Sequence, residues 1–130
     1  MADHTGSPPM TLGEALRPLL ETAGVLGGVL ATPDGLPMAA ALRKGLDEEG
    51  IAATGARLGQ LAQAGMGEEA LEVMVLEATR LRLVVRPVSL GYLVVVADPN
   101  SGIEMALAAA KQLELALDET ATALTAPAAV

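Results

Sequence analysis

Between Gly50 and Gly67 the chain carries one charged residue, Arg57, while small residues recur as Ala52, Ala53, Gly55, Ala56, Gly59 and Ala62. The acids Asp47, Glu48 and Glu49 precede this stretch and suit the positive end of a helix dipole, so a helix is predicted from Asp47 to about Met66. A helix with no continuous charged face is buried on more than one side. A single sheet covers only one of those sides, which leaves the second to a partner. Isologous pairing is the commonest way soluble chains supply one. Ala52, Ala56, Gly59 and Gln63, three or four residues apart, form a stripe that would let two such helices approach closely. Together with Leu71, Val73 and Val75 of the following apolar run, they are the expected homodimer interface.

The rest of the composition narrows function by exclusion. Apolar residues make up 52% of the 130-residue chain, yet Phe and Trp are absent and Tyr92 is the sole aromatic, so the core must be aliphatic. Stacking on nucleic-acid bases is thereby nearly excluded. Eight Lys and Arg stand against 16 Asp and Glu, a net charge of −8, which offers no general attraction to phosphate backbones or anionic membranes. With no cysteine and only His4, a thiolate nucleophile, a Cys-based zinc site and His-dependent acid/base chemistry lose their usual residues. No catalytic residue, metal ligand, cofactor or small-molecule substrate is therefore expected. The longest uncharged stretches, such as Thr22 to Pro33, fall short of the ~18 apolar residues that read as a membrane span. The N-terminus lacks a basic region followed by an apolar run, so no secretory leader is expected and the chain reads as cytoplasmic.

This length suits one domain with one core. Residues 1–10 and 120–130 read as flexible tails flanking a domain over 11–119. Thr11 and Glu14 have capping-box spacing and open an amphipathic helix through Leu12, Ala15, Leu16, Leu19 and Leu20, kinked at Pro18. Val25 to Thr32 and Pro37 to Leu42 form a β-hairpin across Pro33-Asp34-Gly35, with Gly35 expected at positive φ in the turn that Asp34 and Gly35 make. Leu71 to Leu76, Leu81 to Pro87 and Leu93 to Ala97 are predicted strands, antiparallel because their joins are short. Ser101 and Glu104 suggest a second capping box, opening a helix with the stripe Ile103, Ala106, Leu107, Ala110, Leu113 and Leu117. The order is α-β-β-α-β-β-β-α. The expected class is α/β (α+β): a five-stranded antiparallel sheet sandwiched by helices.

Several patterns could carry chemistry. No P-loop run exists, and Gly24, Gly27 and Gly28 lack a lysine, so close packing of a helix on a strand explains them better. Asp98, Asn100, Gly102 and Glu104 faintly resemble a cation loop, but Pro99 interrupts it and helix entry accounts for the segment. Glu68, Glu69, Glu72 and Glu77 read as a solvated face. Arg80, Arg82 and Arg86 concentrate positive charge on one strand. They either pair with Glu72 and Glu77 across the hairpin or dock a partner's acidic surface, and an arginine finger supplied to a GTPase is the remotest use.

Taken in order, the run Val25 to Ala31, the turn Asp34-Gly35-Leu36-Pro37, the Ala/Gly helix around Gly50 to Ala64, the strand pair Glu72 to Pro87 and Gly91 to Ala97 before the last helix resemble the Roadblock / dynein light chain family. The resemblance spans about Leu12 to Leu117. It implies a profilin-like or longin-like fold, pairing into dimers, and a non-catalytic adaptor or regulator that binds a Ras-like small GTPase, as family members that serve bacterial gliding motility do. The competing reading is a small-molecule-sensing domain of profilin or PAS type, whose pocket would draw on Thr54, Gln60 and Tyr92.

Overall fold

A computed structural model describes residues 11–101 and 103–125, with side chains as far as Glu119. The N-terminal tail expected over 1–10, Gly102 of the suggested cation loop and residues 126–130 lie outside the described residues.

The capping box forms as expected. The Thr11 N–H donates to Glu14 Oε1 at 2.8 Å, and the Glu14 N–H donates to Thr11 Oγ1 at 3.1 Å. The helix it opens, α1 (Leu12–Leu16), is short, because Pro18 stands at the start of a tighter 3₁₀ turn over Arg17–Glu21. Proline lacks the N–H that a continuing α-helix needs, so the kink expected at Pro18 is a change of helix type.

Five strands follow: β1 (Val25–Ala31), β2 (Pro37–Leu42), β3 (Met74–Glu77), β4 (Arg82–Val88) and β5 (Gly91–Ala97). They form one sheet in the order β2-β1-β5-β4-β3, antiparallel at every pairing. Between β2 and β3 runs α2 (Glu48–Met66), and α3 (Ile103–Thr125) follows β5. The β1–β2 turn is the one read from the sequence. The Gly35 N–H reaches Thr32 O at 2.9 Å, and the Leu36 N–H reaches Thr32 Oγ1 at 3.0 Å. Gly35 sits at φ +92° with the Ala53 backbone of α2 against it, a conformation and a gap that favour glycine twice over.

Two cores lie on the two faces of the sheet. Leu16, Leu19, Leu30, Val84, Leu93, Val95, Ala110 and Leu117 pack between the sheet and the layer of α1, the 3₁₀ turn and α3. Val29, Ala31, Val85, Val94 and Val96 meet Ile51, Ala52 and Ala56 of α2 on the other. Central strand β5 is buried on both faces from Leu93 to Ala97, which is why it reads as an unbroken apolar run and not as an alternation. Each such valine contributes about 1.5–3 kcal/mol relative to an exposed one.

Several boundaries differ from expectation. β3 begins at Met74 and not Leu71, since Leu71 to Val73 have no strand partner. β4 begins at Arg82, because Leu81 belongs to the turn closed by the Ala78 N–H on Leu81 O. β5 begins two residues early, at Gly91. α3 runs to Thr125, beyond the Glu119 expected to end the domain, since no Gly or Pro interrupts the chain before Pro127. The turn before α3 is built by Asp98, whose carboxylate accepts the Asn100 N–H at 2.8 Å, and the cap expected at Ser101 adjoins Gly102, outside the described residues.

Candidate functional site

Helix α2 lies on the sheet by its small residues. A Cβ at Gly55 would collide with the Val94 side chain, and one at Gly59 with the Tyr92 ring. Ala52 and Ala56 are 0% and 1% exposed. The stripe Ala52, Ala56, Gly59 therefore faces the protomer's own sheet, which corrects its placement at a contact between two protomers. Periodicity showed that these residues share one face; which surface met that face was not in the pattern.

The outward face of α2 bears Ala53, Arg57, Gln60, Leu61 and Ala64. Thr54, Leu58 and Leu61 follow one another along the flank next to Ile51, and Leu61 is 61% exposed. Ile51 and Thr54 border a hollow of 460 Å³ shared with Leu46, Leu76, Leu81 and Leu83, so this flank leans toward β3. β3 is an edge strand, hydrogen-bonded to β4 alone. Val73, Val75 and Leu76 are exposed there at 36–40%. Leu71 is buried and held in place by Gln63, whose amide accepts the Leu71 N–H at 2.8 Å and donates to Glu69 O at 2.7 Å. Gln63 thus clamps the end of α2 to the segment leading into β3, a role that helical spacing could not reveal.

The three arginines do not form one patch. Arg80 is exposed in the β3–β4 turn. Arg82 lies opposite Glu77 in the strand register and donates to the Ser101 carbonyl at 3.3 Å. Arg86 forms an ion pair with Glu114 of α3, both side chains partly buried. Two of the three therefore fasten β4 to the α3 layer, and the pairing of Arg86 with Glu72 or Glu77 is corrected to Glu114. Glu68, Glu69, Glu72 and Glu77 are all exposed.

Thr54, Gln60 and Tyr92 do not converge on a ligand cavity. The Gln60 amide is held by the Pro33 carbonyl, Tyr92 packs on Gly59, and Thr54 opens to the hollow beside β3. Gly28 fits the packing reading, since a Cβ there would strike the Leu19 side chain of the 3₁₀ turn. Among the described residues no group of His, Cys, Asp or Glu is placed to hold a metal ion, and no helix is long and apolar enough to cross a membrane.

No family model matches the chain, and no curated protein matches it by sequence. Solved structures do match. The chain is similar to a Roadblock/LC7 domain from Streptomyces avermitilis, at 21% identity and a TM-score of 0.69, over 82% of this chain and 94% of that one. It is similar to MglB of Myxococcus xanthus at 17% identity and 0.71, over 83% and 92%. A third likeness, to the gliding protein MglB of Thermus thermophilus, has 21% identity and a TM-score of 0.73, over 90% and 93%. A five-stranded antiparallel sheet between helix layers is thus a Roadblock/LC7 fold. Within that class, its form is MglB-like.

Proposed function

We propose that the protein is a non-catalytic homodimeric adaptor that binds a Ras-like small GTPase and modulates its nucleotide cycle or localisation. The observation that supports this reading is the unpaired β3 edge, with Leu76 exposed beside Leu61 on the α2 face of the sheet and Val75 exposed on the other face. Such an edge is a template for another strand, and exposed apolar side chains beside it mark an association surface. Two copies joined at β3 across a twofold axis would continue the sheet and bring the two α2 helices side by side on one face. The dimer contact then falls on Val73, Val75, Leu76 and the α2 flank, with Leu71 supporting it from beneath. A solved MglB with a tetrameric arrangement, 22% identical with a TM-score of 0.75, is a self-associating relative in fold and lends support.

The GTPase partner rests on the family resemblance, and the paired α2 surface is where such a partner would dock. Co-elution of the protein with a Ras-like GTPase from the same genome, loaded with GDP or with a GTP analogue, tests it. Binding in one nucleotide state with no nucleotide hydrolysis by the protein alone is expected. Failure to bind in both states would contradict the GTPase assignment while leaving the dimer to be judged by its mass.

A further inference from the structure

The opposite edge of the sheet is built differently. β2 is the other terminal strand, and its residues Pro37–Leu42 carry no charge and, apart from Met38 and Leu42, only small side chains. Natural edge strands are usually blunted by charges, bulges or covering elements. β3 has Glu77 within it and Glu72 and Arg80 on either side, whereas β2 has only Pro37, at its very start. The Arg43 N–H donates to Leu26 O at 3.0 Å, so the antiparallel alternation turns the N–H and C=O of Ala40 and Leu42 away from β1, toward the open edge.

Beside that edge lies a cleft of 690 Å³ between α1 and the β2–α2 connection, bordered by Ala40 to Leu46 and by Arg17. Arg17, Arg43 and Lys44 are three of the chain's eight Lys and Arg, and all three are exposed. The carboxylates of the cleft are Glu14, which also faces Arg17 electrostatically, and Glu48, so its three cations outnumber its two anions. Arg43 gives one N–H to Leu20 O at 2.9 Å and keeps its remaining donors. A locally cationic cleft in a chain of net charge −8 sits at the end of an uncharged, unpaired strand.

The geometry points to β2 as a docking edge for an extended acidic segment of another protein. The segment adds as a sixth strand through the free backbone groups of Ala40 and Leu42, with its carboxylates at Arg17, Arg43 and Lys44. Main-chain bonds supply the affinity in this mode, and the cations select an acidic sequence over a neutral or basic one. The site is independent of pairing at β3, at the other end of the sheet.

The probe is a short fluorescein-labelled peptide of alternating Val and Thr with two Glu at one end, titrated with the full-length protein by fluorescence anisotropy. Saturable binding is expected, weakening as salt rises from about 50 to 500 mM because the cations are exposed. Ala40→Pro removes an outward N–H and no ladder bond, a substitution that edge strands tolerate. It should lower affinity about tenfold with its melting temperature and mass in solution unchanged. Arg17→Gln with Lys44→Gln, which touches no backbone group, should reduce affinity severalfold and flatten the salt dependence. Equal binding of a peptide with Lys in place of Glu, or wild-type affinity in both variants, would overturn the assignment. So would absence of saturable binding by the wild type.

Discussion

The two helix layers hold the same sheet by opposite means. α3, with α1 and the 3₁₀ turn, fills its side with large aliphatic chains, Leu16, Leu19, Leu113 and Leu117, packed on Leu93 of the sheet. α2 approaches its side closely, with Ala52, Gly55, Ala56 and Gly59 laid directly against Val94 and Tyr92. A thick layer is sealed by its own side chains and is weakened by removing volume. A thin one is weakened by adding it, and it leaves the apolar residues of the same helix pointing outward, where a second protomer can use them.

That asymmetry is open to direct attack. Leu93→Ala, in the thick layer at 0% exposure, should cost about 2–5 kcal/mol, measured by urea unfolding, because a cavity remains where the side chain was. Its reverse in the thin layer, Gly59→Leu, should cost about 1–3 kcal/mol by driving bulk into the Tyr92 ring. Gly59→Leu is expected to lower stability without dissociating the proposed dimer, since Gly59 faces inward. Loss of dimerisation at full stability would restore the inward stripe as the contact between protomers. Arg86→Ala should cost about 1 kcal/mol, because the Glu114 carboxylate loses its partner in a half-buried site.

The smallest effect is at the start of the thick layer. Hydrogen bonds from the Thr11 backbone and then its side chain hold the Glu14 carboxyl below its ordinary value of 4.5. A depressed carboxyl adds stability above its unfolded value, and that contribution is lost as pH falls through the lowered folded value. Glu14→Gln, which cannot titrate, should therefore show a slightly shallower fall in melting temperature on acidification below pH 4.5 than the wild type. Parallel curves would mean that the capping box adds nothing through its charge.

Much of the fold was legible in the sequence because it rests on local chemistry. The Thr11–Glu14 box, the Asp34-Gly35 turn and the doubly buried β5 each announce themselves through residues close together in the chain. The site was less legible because it depends on which surface meets which. Spacing places Ala52, Ala56 and Gly59 on one face, and nothing in spacing distinguishes a sheet from a second helix as the neighbour of that face. Arg82 and Arg86 were grouped on one strand face, yet their partners Ser101 and Glu114 lie far along the chain. Gln63, a clamp between α2 and Leu71, carried no sequence signal beyond its helical position.

Mass in solution decides whether the outward flank of α2 and the β3 edge form the contact between protomers. Light scattering of the wild type at about 50 µM, where mass action favours association, should give twice the 13.1 kDa chain mass. Leu61→Glu and Val75→Lys, both at exposed positions that leave the protomer's core intact, should each return the single-chain mass with an unchanged circular dichroism spectrum. A wild type of 13.1 kDa, or both variants still at twice that mass, would contradict the proposed dimer and with it the paired surface on which a GTPase would dock.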